Sequence, residues 1–158
     1  MTNTPITSTL TDEQKAITGH ALQQTLVDLI DLSLVAKQAH WNVVGRNFRS
    51  VHLELDELVT VSREFTDQAA ERATAIGVSP DGRAETVAKT AGTTGFGDGW
   101  TSDTEVITSI VDNLKALIAG LRMRSDETED ADPVTQDLLI SFAAKLEQLH
   151  WRWQAQIA

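Results

Sequence analysis

The chain has 158 residues, 41% of them hydrophobic, and a formal net charge of −10, so it holds enough apolar material for one domain with its own core. It contains no cysteine, which excludes disulfides and thiolate metal sites and leaves imidazole and carboxylate as the only strong metal ligands. The 13 Lys and Arg residues collect in no block, whereas nucleic-acid binders draw most of their affinity from a basic tail or stripe; an acidic surface instead concentrates cations.

Residues 1–10, MTNTPITSTL, read as a short disordered N-terminal arm, with residues 11–158 as the folded domain. The arm lacks a basic n-region and a long apolar run, and no later stretch approaches the roughly 18 apolar residues of a membrane span. A soluble, cytoplasmic protein without a membrane partner is expected. Thr11 and Gln14 form a capping box, and Ile17, Ala21, Leu22, Leu26, Leu29, Val35 and Ala36 follow at about 3.6-residue intervals, predicting a first helix to about Val43. Gly45 is placed to break it. A second helix runs from about Asn47 to Ile76, with Gly77 and Pro80 beyond its end.

The next stretch, 78–100, is rich in glycine, yet AETVAKTA within it can form a short helix. So long a connection lets the helices on either side run parallel, as in bundles with one crossover. A third helix is predicted from Thr101 or Ser102 to about Arg124, and a fourth from Asp132 as cap, with Pro133 in the first turn, to Trp153. No segment carries a strand signal. The fold class is therefore all-α, a four-helix bundle with a long second-to-third crossover carrying a short helix.

Within the second helix, His52, Asp56, Asp67 and Glu71 sit at relative positions 0, 4, 15 and 19, which places all four on one side. From Asp56 to Asp67 the helix rises by roughly 16 Å, too far for ligands of one ion, so the two pairs serve different sites. Residues 52 and 71 share their midpoint with residues 56 and 67, between Val61 and Ser62. A second copy laid antiparallel about a two-fold axis there would set His52 and Asp56 against its Asp67 and Glu71, and one isologous dimer would hold two equivalent sites. Either pair alone is also compatible with a solvated helix face. His40 precedes His52 across the turn at Gly45, which can bring the two imidazoles together without spacing requiring it. Trp41 beside it is either core or a trap for a stray radical electron near an oxidising metal. Such a donor set suits Fe(II), Mn(II) or Zn(II), and its carboxylates lean towards iron.

The run RSDETEDADP carries Asp126, Glu127, Glu129, Asp130 and Asp132, with Asp137 one turn into the next helix. It reads as a solvated acidic loop that favours a helix N-terminus, or as a cation funnel if copies meet on an axis. Glu147 and His150 form a single Glu-x-x-His unit, where a di-iron bundle needs two, and neither His150 nor His20 is assigned a role.

The run KQAHWNVVGRNF from Lys37 to Phe48, followed by His52, Asp56, Asp67 and AERA at 70–73, resembles the signature of the Dps family, the mini-ferritins named as DNA-binding proteins from starved cells. The likeness covers nearly the whole chain. It implies a ferritin-like subunit in a hollow homododecamer built through two-fold dimers, with ferroxidase centres between subunits: His40, His52 and Asp56 from one, Asp67 and Glu71 from its partner. It implies iron as the metal, bound as Fe2+, oxidised to Fe3+ preferentially by hydrogen peroxide and stored as ferric mineral, which suppresses hydroxyl-radical chemistry. Acidic pores on three-fold axes are implied too, and Asp132 and Asp137 are the candidates. DNA-binding members often carry a Lys- and Arg-rich tail that neither end shows here, and twelve copies at −10 each sum to about −120. Direct DNA binding is expected to be weak or absent, with nucleoid association left open. A non-catalytic, DNA-condensing cage is the alternative.

Overall fold

The computed structural model describes residues 4–158. Four long helices, α1 (Asp12–Asn42), α2 (Phe48–Ala75), α4 (Asp103–Thr128) and α5 (Pro133–Gln154), form the bundle, and a short α3 (Ala84–Thr90) lies in the crossover. Among the described residues, no helix is long and apolar enough to cross a membrane.

Local chemistry explains most of the ends. Thr11 and Gln14 make the expected capping box at α1, and Ser102 and Glu105 make a second at α4. At the end of α2, Gly77 has φ +81, and the Gly77 and Val78 N–H groups donate to Thr74 and Ala73 carbonyls at 2.9 Å each, a Schellman closure that needs the left-handed residue. α4 runs one turn further than its apolar spacing predicts, so Asp126 and Glu127 are helical and only 129–132 form the turn. That last turn is held by buried Arg124 and by Thr128, whose hydroxyl donates to the Arg124 carbonyl at 2.9 Å.

The arm is not free along its described length. The Thr4 hydroxyl donates to the Ile6 carbonyl at 3.0 Å and lies 3.4 Å from the Gly77 carbonyl, while Leu10 packs against the core. The crossover is anchored through its backbone: the buried Asn113 amide accepts from Gly95 N–H at 3.1 Å and donates to Gly95 O at 2.9 Å. It ends in β2 (Thr101–Ser102), which pairs in parallel with β1 (Val43–Val44) just after α1, Val43 opposite Thr101 and Val44 opposite Ser102. A two-residue ladder has no alternation to read, which is why the sequence shows no strand.

α1 packs along α2 and α4 along α5. The core between them holds Leu22, Leu29, Leu55, Leu58, Ile110 and Leu114, with Phe142 stacked on Phe65 at 4.3 Å and Trp153 fully buried. The crossover makes α2 and α4 parallel, as its length predicts, because both begin beside the β1–β2 pair. Apolar burial is not directional, so the polar ties decide how the pairs sit on each other. Arg124 donates to Asp28 Oδ2 at 2.5 Å and to Thr25 Oγ1 at 2.8 Å, while Asp28 Oδ1 accepts from Gly92 N–H at 2.7 Å and from Gln24 at 2.9 Å. One buried carboxylate thus joins α1, α4 and the crossover. At the other end of α2, Arg72 donates to Asp132 Oδ2 at 2.5 Å and to Thr135 Oγ1 at 3.0 Å.

Two stability predictions follow from these ties. Asp28→Ala leaves the buried Arg124 charge without its partner and is expected to cost about 3–5 kcal/mol in denaturant unfolding at fixed protein concentration, with most of it recovered in Asp28→Leu/Arg124→Met. For Asp132, burial works to raise the carboxyl pKa, but the Thr135 hydroxyl and Arg72 outweigh it and hold the group below its ordinary value. A depressed folded-state pKa contributes stability above the unfolded value of about 3.9, and that contribution is lost as pH falls through the folded one. Arg72→Met should therefore destabilise by about 1–3 kcal/mol at pH 7, and the gap from wild type should narrow as pH falls below the unfolded value of about 3.9, read from urea midpoints.

Candidate metal centre

The centre is built at the α1–α2 turn. His40 lies in the last turn of α1 and is buried, and His52 lies in the second turn of α2 and is half-buried. Gly45, at φ +136, makes the reversal that sets them side by side. Their rings stack with centroids 3.6 Å apart and planes 19° from parallel. His40 Nδ1 lies 2.8 Å from the His52 carbonyl oxygen, and His52 Nδ1 lies 2.9 Å from the His40 carbonyl oxygen. A carbonyl only accepts, so each Nδ1 carries the proton, and in the neutral ring the lone pair falls on Nε2. A carbonyl acceptor on one ring nitrogen fixes the tautomer and leaves the other nitrogen free for a metal.

Asp56, one turn beyond His52, brings its Oδ1 to 3.5 Å from His40 Nδ1 and accepts from Lys37 Nζ at 2.5 Å. The hydrogen bond from the Lys37 ammonium is the main reason its carboxyl is held below the usual range. Asp67 and Glu71 lie three to four turns further along α2, both exposed, and neither takes part in a hydrogen bond or ion pair among the described residues. Within one chain the described residues include no group of three or more His, Asp or Glu side chains arranged to hold an ion. The candidate donors thus stand towards the two ends of α2, with His40 added from the end of α1.

A ferritin-like domain model matches residues 19–158. The "DNA protection during starvation protein" of Mycolicibacterium smegmatis is 32% identical over 152 residues, covering 94% of this chain and 81% of that one. The chain belongs to the Dps family of ferritin-like proteins. A Dps structure from Microbacterium arborescens, described as being in the high iron form, superposes with a TM-score of 0.90 at 29% identity, over 96% of this chain and 98% of that one. The chain is also 34% identical over 144 residues to the fine tangled pili major subunit of Haemophilus ducreyi, covering 89% of this chain and 76% of that one.

In this Dps subunit the remaining candidates fall in different settings. Asp132 occupies the N-cap position of α5, but its carboxylate is buried and bonded to Arg72 and to the Thr135 hydroxyl, and it makes no side-chain cap. Asp137 is exposed on the second turn of α5. Trp41 is 65% exposed, so it is not core. Glu147 pairs with Arg122 and not with His150, whose Nε2 is buried without a partner, and His20 is exposed.

Two residues at the centre escaped the sequence reading. Lys37 is one turn before His40 on the same face of α1, a spacing visible in the sequence, and it sits where a cation is wanted. Asp103 reaches the α1–α2 turn from 56 residues away, through Asn47, and nothing local announces it. Because a metal held by Asp56 would have to displace the Lys37 ammonium already paired with it, Lys37→Met should tighten Co(II) binding by about fivefold, the worth of roughly 1 kcal/mol for a unit charge near 4 Å in an aqueous dielectric. Titration by visible absorption of Co(II) checks this, and weaker binding would show that Lys37 supports the site instead of competing for it.

Proposed function

We propose that this chain is the subunit of an iron-oxidising, iron-storing cage: a homododecamer of two-fold dimers, each dimer carrying two ferroxidase centres. The observation that carries the reading is the division of donors on α2. His40, His52 and Asp56 gather at one end, and the carboxylates Asp67 and Glu71, unpaired among the described residues, stand roughly 16 and 22 Å beyond Asp56 along α2. A two-fold axis between Val61 and Ser62 brings opposite ends together and completes both centres at once.

Iron is the substrate. Two imidazoles and three carboxylates suit Fe(II), and the carboxylate charge stabilises Fe(III) more than Fe(II), so the site favours electron loss. With hydrogen peroxide as oxidant, two Fe(II) give one electron each, the O–O bond breaks and two protons are taken up, leaving two waters and two Fe(III). Taking both electrons together releases no hydroxyl radical. The ferric product hydrolyses and is kept as mineral inside the cage. Iron enters past the acidic end of the bundle, where Asp137 is exposed together with Asp126, Glu127, Glu129 and Asp130, and Asp132, tied to Arg72, holds the turn in place.

The relative's name, DNA protection during starvation protein, supports a protective role, and the high iron form of another Dps supports iron as the cargo. Protection here is by removal of Fe(II) and peroxide in the cytoplasm. At −10 per chain, twelve copies carry about −120 and repel DNA phosphates, so a DNA-condensing cage is the second reading. Tight mobility-shift complexes at moderate salt without added divalent cation would favour that second reading.

The decisive experiment uses mixed cages. His52→Ala and Glu71→Ala should each lower Fe(II)-dependent peroxide consumption by about tenfold or more. Cages assembled from equal amounts of the two should regain about a quarter of wild-type activity, because about half of the dimers are mixed and one of the two centres in each is intact. No recovery in cages shown by mass to be mixed would rule out a shared centre.

A further inference from the structure

We infer that Asp103, the first residue of α4, is a positioning residue for the His40–His52 half of the centre, an inference that rests on the function proposed above. α2 begins without a cap of its own: Asn47 occupies the N-cap position, its side chain makes no capping bond, and the first turn holds no carboxylate. Asp103 supplies both from another helix. Its Oδ2 accepts the Asn47 N–H at 2.7 Å, placing a negative charge at the positive end of α2, while its Oδ1 accepts the Thr104 N–H at 2.9 Å. The residue is only 8% exposed, so the carboxylate is held in one place. It reaches Asn47 because residue 45 is glycine: a Cβ there would lie 2.6 Å from Asp103 Cγ. The β1–β2 pairing stands beside this contact and ties the same two segments.

From Asn47 the path to the site is short. Phe48 opens α2, and its ring centroid lies 4.9 Å from that of His52. The reciprocal bonds of 2.8 and 2.9 Å between His40 and His52 require α2 to keep its height against α1, because a slip of one residue, about 1.5 Å, breaks both. Asp103 touches neither imidazole. It fixes the start of the helix that carries one of them, and so sets where both Nε2 atoms stand when the partner's carboxylates arrive.

The test is Co(II) titration of the full-length assembled protein by visible absorption, with Fe(II) dependence of peroxide consumption measured in parallel. Asp103→Ala should raise the Co(II) concentration for half-saturation by about tenfold, and the half-maximal Fe(II) concentration with it, at unchanged oligomeric size and helicity. Asp103→Asn, which keeps an acceptor oxygen for Asn47, should recover most of the affinity. If Asp103→Ala does not assemble, Asp103→Glu carries the test, because it keeps charge and acceptor while pushing the start of α2 outward by one methylene, and it should weaken Co(II) binding in the same direction. Wild-type affinity in the variant that assembles, or a loss in Asp103→Ala that Asp103→Asn does not restore, overturns the inference. If wild type binds no Co(II), or His40→Ala binds it as wild type does, the function itself fails first, and the two failures are thereby told apart.

Discussion

Two hydrogen bonds, each from an imidazole Nδ1 to the backbone carbonyl of the other histidine, are the constraint on which the proposed centre depends. They are reciprocal, so neither ring can turn without breaking a bond, and neither helix can slide without breaking both. Because the acceptors are main-chain atoms at the end of α1 and the start of α2, side-chain freedom is removed as well as helix register. The cost is that each ring spends Nδ1 on the scaffold. The gain is a pair of Nε2 lone pairs whose positions are set before any ion arrives, which is what pre-organisation of a metal site requires.

The same logic recurs across the bundle. Leucine and isoleucine bring the helices together, but a leucine layer is indifferent to small slips along the axis, and specific polar ties remove that freedom. Asp28 with Arg124 fixes α1 against α4 and holds the crossover at Gly92. Arg72 with Asp132 fixes the far end of α2 against α5, and Arg152, bidentate to Glu57 at 2.8 and 3.0 Å, fixes the near end. Asp103 fixes the start of α2 against α4. The helix carrying the candidate metal donors is thus pinned at both ends, and the two-fold axis of the proposed dimer would cross it at the height of Val61 and Ser62, whose own side chains face the core.

Much of this was readable in the chain. The four long helices and the short crossover helix follow from 3.6-residue periodicity, the Thr11–Gln14 capping box and Gly77, because each of these signals acts within one or two turns. The positions of His52, Asp56, Asp67 and Glu71 along α2 follow from helix geometry alone, since a helix converts residue number directly into distance and angle. What could not be read depends on contacts across long separations: the β1–β2 pairing, the reach of Asp103 to Asn47, and the diversion of Asp132 from capping α5 to bonding Arg72. The end of α4 was missed for the same reason, because Arg124 looks like a surface residue until Asp28 is seen beside it.

Dividing the donors between two ends of one helix has a consequence for when the chemistry can run. The 19 residue steps from His52 to Glu71 span roughly 28 Å of helix, and no bending of a single α2 brings them together. An isolated subunit offers Fe(II) two imidazoles and one carboxylate that Lys37 already occupies, and its other two carboxylates stand exposed where a single weakly held ion would exchange freely. Iron oxidised one ion at a time passes single electrons to peroxide and makes the radical that a protective protein must avoid. In the proposed cage, confining the complete donor set to the interface between two copies would make tight binding conditional on assembly, and assembly would also build the cavity that receives the ferric product. On the proposed function, the spacing along α2 would thereby link three events that would be harmful if they occurred separately: binding, oxidation and storage.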